Sequence, residues 1–303
     1  MAFSVNQPNF NGKDAGFFIS QAMKEIKSLD YMTLIEGVKY KTNIQQVNGS
    51  GLAKDADCTF TSAGNLALTE RTITPKNLKI NLDICRTTLM TSWNALQMRA
   101  GVDGNAPSFE EYVISYMGQY IAESTENSIW RGNTATSGEF TGFITGAVGL
   151  LLPGVDANVV QQAASATPFT ATNIIDNLGV LTSAIPAAVY TKEDLYIYMN
   201  AKSWKFYIEA VSALNGTPFG NMNDEWSKLY NGIKLAVCPG MGDDELVAAQ
   251  SSNMYMATDT WTDASRIQLL DMGSIDGSDN IRCVAKWSAA VEKGTSEDVV
   301  RCA

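Results

Sequence analysis

SFEEYVISYMGQYIAESTENSIWRG, residues 108–132, is the stretch that decides the fold. Ser108 stands three residues before Glu111, the spacing at which a hydroxyl and a carboxylate each satisfy a backbone donor of the other in a capping box. Phe109, Tyr112, Val113, Tyr116, Met117, Tyr120 and Ile121 then recur at steps of three and four, while Glu110, Glu111, Glu123 and Glu126 lie mostly elsewhere on the wheel. With Gly132 at the C-cap position, the pattern predicts a helix over 108–131 whose core face is those seven residues. At 1.5 Å per residue such a helix is roughly 35 Å long, more than a usual globular helix.

Upstream, from Val38 to Asn48 and again from Leu66 to Arg86, the chain is rich in Val, Ile, Thr and Tyr, with alternation clearest at Leu78, Ile80, Leu82 and Ile84. These segments predict two long strands joined through a polar tip: Asn48, Gly49, Ser50 and Gly51, then Lys54, Asp55, Ala56 and Asp57. A two-stranded ribbon is marginal alone in water, so it should lean on something else. Before it, residues 1–15 read as an extended arm, and Phe17, Phe18, Ile19, Met23 and Ile26 as a short helix.

Downstream, residues 132–168 are rich in Gly, Thr, Ala and Val, with strand-like patches at Phe140–Ile144 and Ala157–Gln161. A second helix is predicted from Thr172 to Ile185, stopped by Pro186. A buried strand over Leu195–Asn200 leads into a helix over Ala201–Ala213. Short strands follow at Ile233–Val237, Leu246–Ala249, Met254–Ala257 and Ile267–Leu270. Alternation through Ile281, Cys283, Ala285, Trp287, Ala289 and Val291 predicts a long antiparallel strand.

Composition narrows the function. The 22 Lys and Arg against 32 Asp and Glu give a net charge of −10, which disfavours a chain whose main work is gripping nucleic acid. Hydrophobic residues make up 45% of 303 positions, enough to build a large core. There is no histidine, which removes Ser-His-Asp and Cys-His nucleophiles, His-ligated zinc and most general-base designs at once. The five cysteines, at 58, 85, 238, 283 and 302, have no zinc-site spacing and read as buried or idle thiols in a reducing compartment. No leader is read at Met1–Pro8, and the longest apolar run, Phe143–Val160, is cut by Pro153 and Asp156.

The remaining candidates for chemistry read as surface. Asp243, Asp244 and Glu245 follow a Gly-rich turn and resemble a solvated loop more than a pair of catalytic carboxylates. Asp276–Asn280 lacks the spaced ligands of a calcium loop. Gly142, Gly146, Gly149 and Gly154 have no Lys-Ser/Thr to close a phosphate loop, and read as bends or close contacts. No catalytic residue, metal site or cofactor is expected.

Three stretches carry a resemblance. Leu68–Pro75 leading into Ile80–Arg86, Leu195–Trp204, and Tyr230–Pro239 followed by Leu246–Thr260 are similar to the returning ribbon strand, the strand-to-helix step and the Gly, apolar strand, Pro return of the major capsid proteins of tailed bacteriophages. The order of elements resembles the Hong Kong 97-type fold. That resemblance implies an α+β chain with an N-terminal arm and short helix (1–36), an extended β-ribbon or E-loop (37–85), a peripheral domain (86–170) with spine helix 108–131, an axial domain (171–263), and a returning peripheral strand with C-terminal tail (264–303).

It also implies a structural protein of the virion, assembled in the bacterial cytoplasm. Pentamers and hexamers would close an icosahedral shell around double-stranded DNA, through a ribbon tip at Asn48, Gly49, Ser50, Gly51 and Lys54. Implied partners are further copies, a separate scaffold protein, a portal and auxiliary capsid proteins. The alternatives are an encapsulin-like nanocompartment shell or a tail or surface binding module.

Overall fold

In the computed structural model, residues 26–56, 58–59, 62–85, 109–215, 228–259, 266–275, 277–278 and 280–303 are described. The expected arm, Phe17, Phe18, Ile19 and Met23 of the expected short helix, and the cap at Ser108 lie outside them, whereas Ile26 is described, is not helical and packs against the core.

The long helix is present as α1, Phe109–Arg131. Its buried stripe runs through Met117, half-buried Ile121, Thr125 and Ser128 at successive turns, and Glu126, Ile129 and Trp130 are fully buried beside its end. Tyr116 and Tyr120, expected on the core face, are instead 39% and 49% exposed. Each precedes a residue of the stripe by one position, about 100° round the helix, which turns it off the core. Phe109, Tyr112 and Val113 occupy the first turns, and their side chains lie outside the described residues.

The last carbonyls of α1 find their partners in the segment expected to be a strand. Phe143 N–H donates to Ile129 O at 2.9 Å, Ile144 N–H to Trp130 O at 2.8 Å and Gly142 N–H to Gly132 O at 2.9 Å. Residues 140–144 therefore form no strand: their donors satisfy the orphaned end of the helix. Gly142 is required there, because a Cβ would stand 2.5 Å from Ser128 O.

The strands, in chain order, are β1 (Thr33–Ile35), β2 (Thr42–Ser50), β3 (Asn65–Ile73), β4 (Lys76–Cys85), β5 (Val160–Gln162), β6 (Leu195–Met199), β7 (Leu229–Tyr230), β8 (Ile233–Val237), β9 (Leu246–Gln250), β10 (Met254–Thr258), β11 (Arg266–Asp271), β12 (Asn280–Lys293) and β13 (Val300–Cys302). Helices α2 (Ile174–Ser183), α3 (Ala187–Tyr190) and α4 (Ala201–Asn215) lie among them.

The predicted late strand is β12, the spine of a five-stranded sheet. It pairs antiparallel with β4, β11 and β10, and β1 joins parallel to β10. The predicted returning strand splits at Thr74-Pro75. Only β3 belongs to the ribbon, paired with β2, while β4 enters the sheet with the Leu78, Ile80, Leu82 and Ile84 alternation. Proline cannot donate to a ladder, so the break falls there.

A second sheet has the order β5-β13-β9-β6-β8-β7 and is buried on both faces. Leu195, Ile197 and Met199 of β6 join Leu246 and Ala248 of β9 under α2 and α4, with Ile174, Leu178, Leu181 and Tyr207. Tyr198, Val247 and Ala249 face the other way, into a core shared with Ile129, Trp130, Met256 and Trp287. The chain does not divide at 263 as expected: β10 lies in the five-stranded sheet and the C-terminal β13 in the six-stranded one. Burying a charge inside the α1 stripe separates the two faces experimentally. Met117→Asp should lower unfolding stability by about 3 kcal/mol or more, and Tyr116→Asp by less than about 1, in urea denaturation.

Candidate assembly surface

The ribbon projects beyond the two sheets. Its strands pair from Thr42↔Ile73 to Ser50↔Asn65, and alternation sorts their side chains onto two faces. On one face Ile44 and Ile73 pack at the root with Val38, Ala257 and Ala290. On the other the near half is a polar ladder, in which Asn43 Nδ2 donates to Glu70 at 3.1 Å and Thr72 Oγ1 donates to Asn43 at 2.9 Å.

The far half of that second face is apolar. Val47 stands opposite Leu68, Leu66 opposite Gly49, and Leu52 folds over Gly49, leaving Val47, Leu52, Leu66 and Leu68 between 58% and 66% exposed. Of the expected tip residues, Asn48, Gly49 and Ser50 end β2, Gly51 turns with φ +65°, and Lys54 is exposed. The tip is thus less polar than Asn48–Asp57 alone predict. The signal was available as Val47-x-Gly49 and Leu66-x-Leu68 on either side of the turn.

At the root a buried charge cluster meets the ribbon. Arg71 Nη2 lies 2.7 Å from Asp156 Oδ2 and bonds Ser296 Oγ, and its Nη1 is 3.9 Å from Glu292. Ser296 donates to Asp156 at 2.6 Å, and Lys293, 1% exposed, lies 3.3 Å from Asp156 and donates to Leu150 O. Burial alone would raise the Asp156 carboxyl, but hydrogen bonds from Ser296, Arg71 and the Asn158 N–H, with the Lys293 charge, hold it well below the usual carboxylate range. A depressed carboxyl stabilises the fold above its unfolded pKa and loses that contribution only as pH falls through the folded one, so Asp156 stays ionised in mild acid, whereas burial raises the carboxyl of Glu292 beside it.

Elsewhere the acidic turn has structural partners. Asp243 pairs with Lys202 at 3.0 Å, Asp244 accepts from Phe169 N–H at 2.6 Å, and Glu245 pairs with Arg301 at 3.1 Å. Glu245 is therefore no solvated loop residue: burial raises its carboxyl despite the Arg301 charge. An apolar hollow of about 230 Å³ between α1 and the sheet is walled by Ile121, Met256, Trp287 and Ala289, with hydroxyls but no ionisable group. Among the described residues no cluster of His, Cys, Asp and Glu could hold a metal, and no helix is long and apolar enough to cross a membrane.

Cys58 and Cys85 are exposed, whereas Cys238, Cys283 and Cys302 are buried, and burial pushes each of these three thiols up. A thiol-specific reagent at neutral pH should accordingly titrate two thiols in the native chain and five after denaturation. Fast reaction of a third native thiol would show that a core around β8, β12 or β13 is open.

No family profile and no curated protein sequence matches the chain. Solved structures do. The capsid of an empty GTA particle is similar at TM-score 0.63 and 15% identity, covering 98% of this chain and 94% of that one. The capsid of Myoviridae phage XM1 gives 0.60 and 12%, with 95% of each chain covered. A Mycobacterium phage Bobi chain gives 0.59 and 14%, covering 98% and 95%. The α+β fold expected from the resemblance is the one found.

Proposed function

We propose that the chain is the major capsid subunit of a tailed bacteriophage, building pentamers and hexamers of an icosahedral shell around double-stranded DNA. The observation that carries this reading is the likeness of fold to capsid chains over nearly the full length of both partners. The ribbon supplies its physical sense. Four apolar side chains about 60% exposed on one face are a surface that folding of a single chain leaves uncovered.

Covering them contributes about 1–2 kcal/mol each, or roughly 4–8 kcal/mol for one docked ribbon. Association costs on the order of 4–15 kcal/mol, so one ribbon contact does not hold a pair together. A ring in which every subunit both gives and receives a ribbon closes such heterologous contacts and adds them up. Scaffold, portal and auxiliary proteins, virion localisation and assembly in the host cytoplasm belong to the same proposal.

Negative-stain microscopy of the expressed chain, alone and with co-expressed phage scaffold, should show rings or closed shells. A monodisperse monomer at every concentration in both preparations overturns the proposal. Val47→Asp with Leu68→Asp should leave the melting temperature within a few degrees, because both positions are exposed, yet cut particle yield by sedimentation at least tenfold. Undiminished yield would show that this face is not a contact.

A further inference from the structure

Among the described residues, the ribbon touches the rest of the chain at two levels. The first is the apolar root, where Ile73 is 1% exposed among Val38, Ala257 and Ala290. The second is Arg71, two residues further out on the same face of β3, opposite Ile44. Beyond Arg71, residues 64–70 are all exposed. One contact point lets a stiff ribbon pivot; two points along its length give it a direction.

We propose that Arg71 is the strut that sets the angle at which the ribbon leaves the body. The guanidinium fork suits the task. Nη2 engages Asp156 and Ser296 together while Nη1 faces Glu292, so the loop carrying Asp156 and the end of β12 are gripped by one planar group. The receiving side is rigid in its own right. Ser296 and the buried Lys293 already hold Asp156, and Lys293 is tied to Leu150 O.

Across the Thr74-Pro75 corner, Lys76 Nζ donates to Glu139 O at 2.7 Å and Thr134 O at 3.0 Å, which fixes the start of β4 rather than the ribbon. Removing Arg71 therefore leaves the Lys76 corner and the Ser296–Asp156–Lys293 contacts in place and frees the ribbon about its root. Some 20 Å of ribbon lies beyond Arg71 at about 3.4 Å per residue, so a swing of about 20° moves the tip by about 7 Å. That exceeds the width of a side-chain pocket. The consequence for docking rests on the capsid reading; the strut itself does not.

The test measures angle and assembly separately. In a full-length Cys58→Ser/Cys85→Ser background, nitroxides at Ser50→Cys on the tip and Glu209→Cys on α4 report the tip-to-body distance by double electron–electron resonance in dilute subunits. Arg71→Met should at least double the width of the distance distribution with melting shifted by only a few degrees. Arg71→Lys, a point charge without the fork, should fall between, and Ser296→Ala should broaden it less than Arg71→Met. An unchanged width in Arg71→Met overturns the strut. So does loss of folding in both Arg71→Met and Ser296→Ala, since the cluster would then hold the body and not the ribbon. Sedimentation of the same samples reads the other claim: a background protein that never forms particles under any condition counts against the capsid function while leaving the strut standing.

Discussion

The carboxylate of Glu126 is the point on which the two sheets and α1 are assembled. It is fully buried and accepts from Ser28 N–H at 3.1 Å, Ser28 Oγ–H at 2.7 Å and Gly240 N–H at 3.2 Å, while Trp130 Nε1–H donates to Ser28 Oγ at 2.7 Å. One side chain thus joins the entry segment, the long helix and the turn between β8 and β9. The approach is so close that a Cβ on Gly240 would lie 2.1 Å from Glu126 O. An unpartnered buried carboxylate is very costly, so these donors must arrive together, and the three segments are located relative to one another as a consequence.

Aromatic packing extends that joint. Trp130 stacks at a tilt on Phe143 and Tyr198, with centroids 5.6 and 5.5 Å apart, and Tyr198 donates through its hydroxyl to Tyr31 O at 2.6 Å. Tyr198 lies on β6, Phe143 on the segment that caps α1, and Tyr31 just after Ser28. The shared core is therefore one body spanning both sheets, which is why a boundary drawn by sequence order at 263 fails. The ribbon is the exception, since its far half adds nothing to that body.

How far the sequence could be read follows from the range of the interactions. The β6–α4 step, β8 to β10, β12 and α1 were legible because period-2 and period-3.6 patterns are set by burial within each element. What escaped depended on a distant partner. Phe140–Ile144 looks β-prone, but its donors are claimed by the end of α1. Tyr116 and Tyr120 match the helical period, yet each lies about 100° round the helix from the Met117 row, and that row is the one the core covers. Arg71 sits in a strand among polar residues, and only the fold brings Asp156, Glu292 and Ser296 to it. Leu66 and Leu68 are less conspicuous in sequence than the longer alternation at Leu78–Ile84, which belongs to β4 and the sheet, not to the ribbon.

The same distinction explains how a chain can share a fold with capsid proteins at 15% identity or less. Most of this core asks only for an apolar side chain of suitable size at alternating positions, a demand many sequences meet. The exacting requirements are few and scattered: a glycine where Gly142 passes Ser128, another where Gly240 meets Glu126, and a carboxylate with its three donors. The far half of the ribbon is freer still, because the side chains of Val47, Leu52, Leu66 and Leu68 are exposed and add nothing to the core. Sequence similarity is therefore expected to decay fastest on that exposed face, while the joint at Glu126 and the paired register of β4 with β12 keep the shape of the fold.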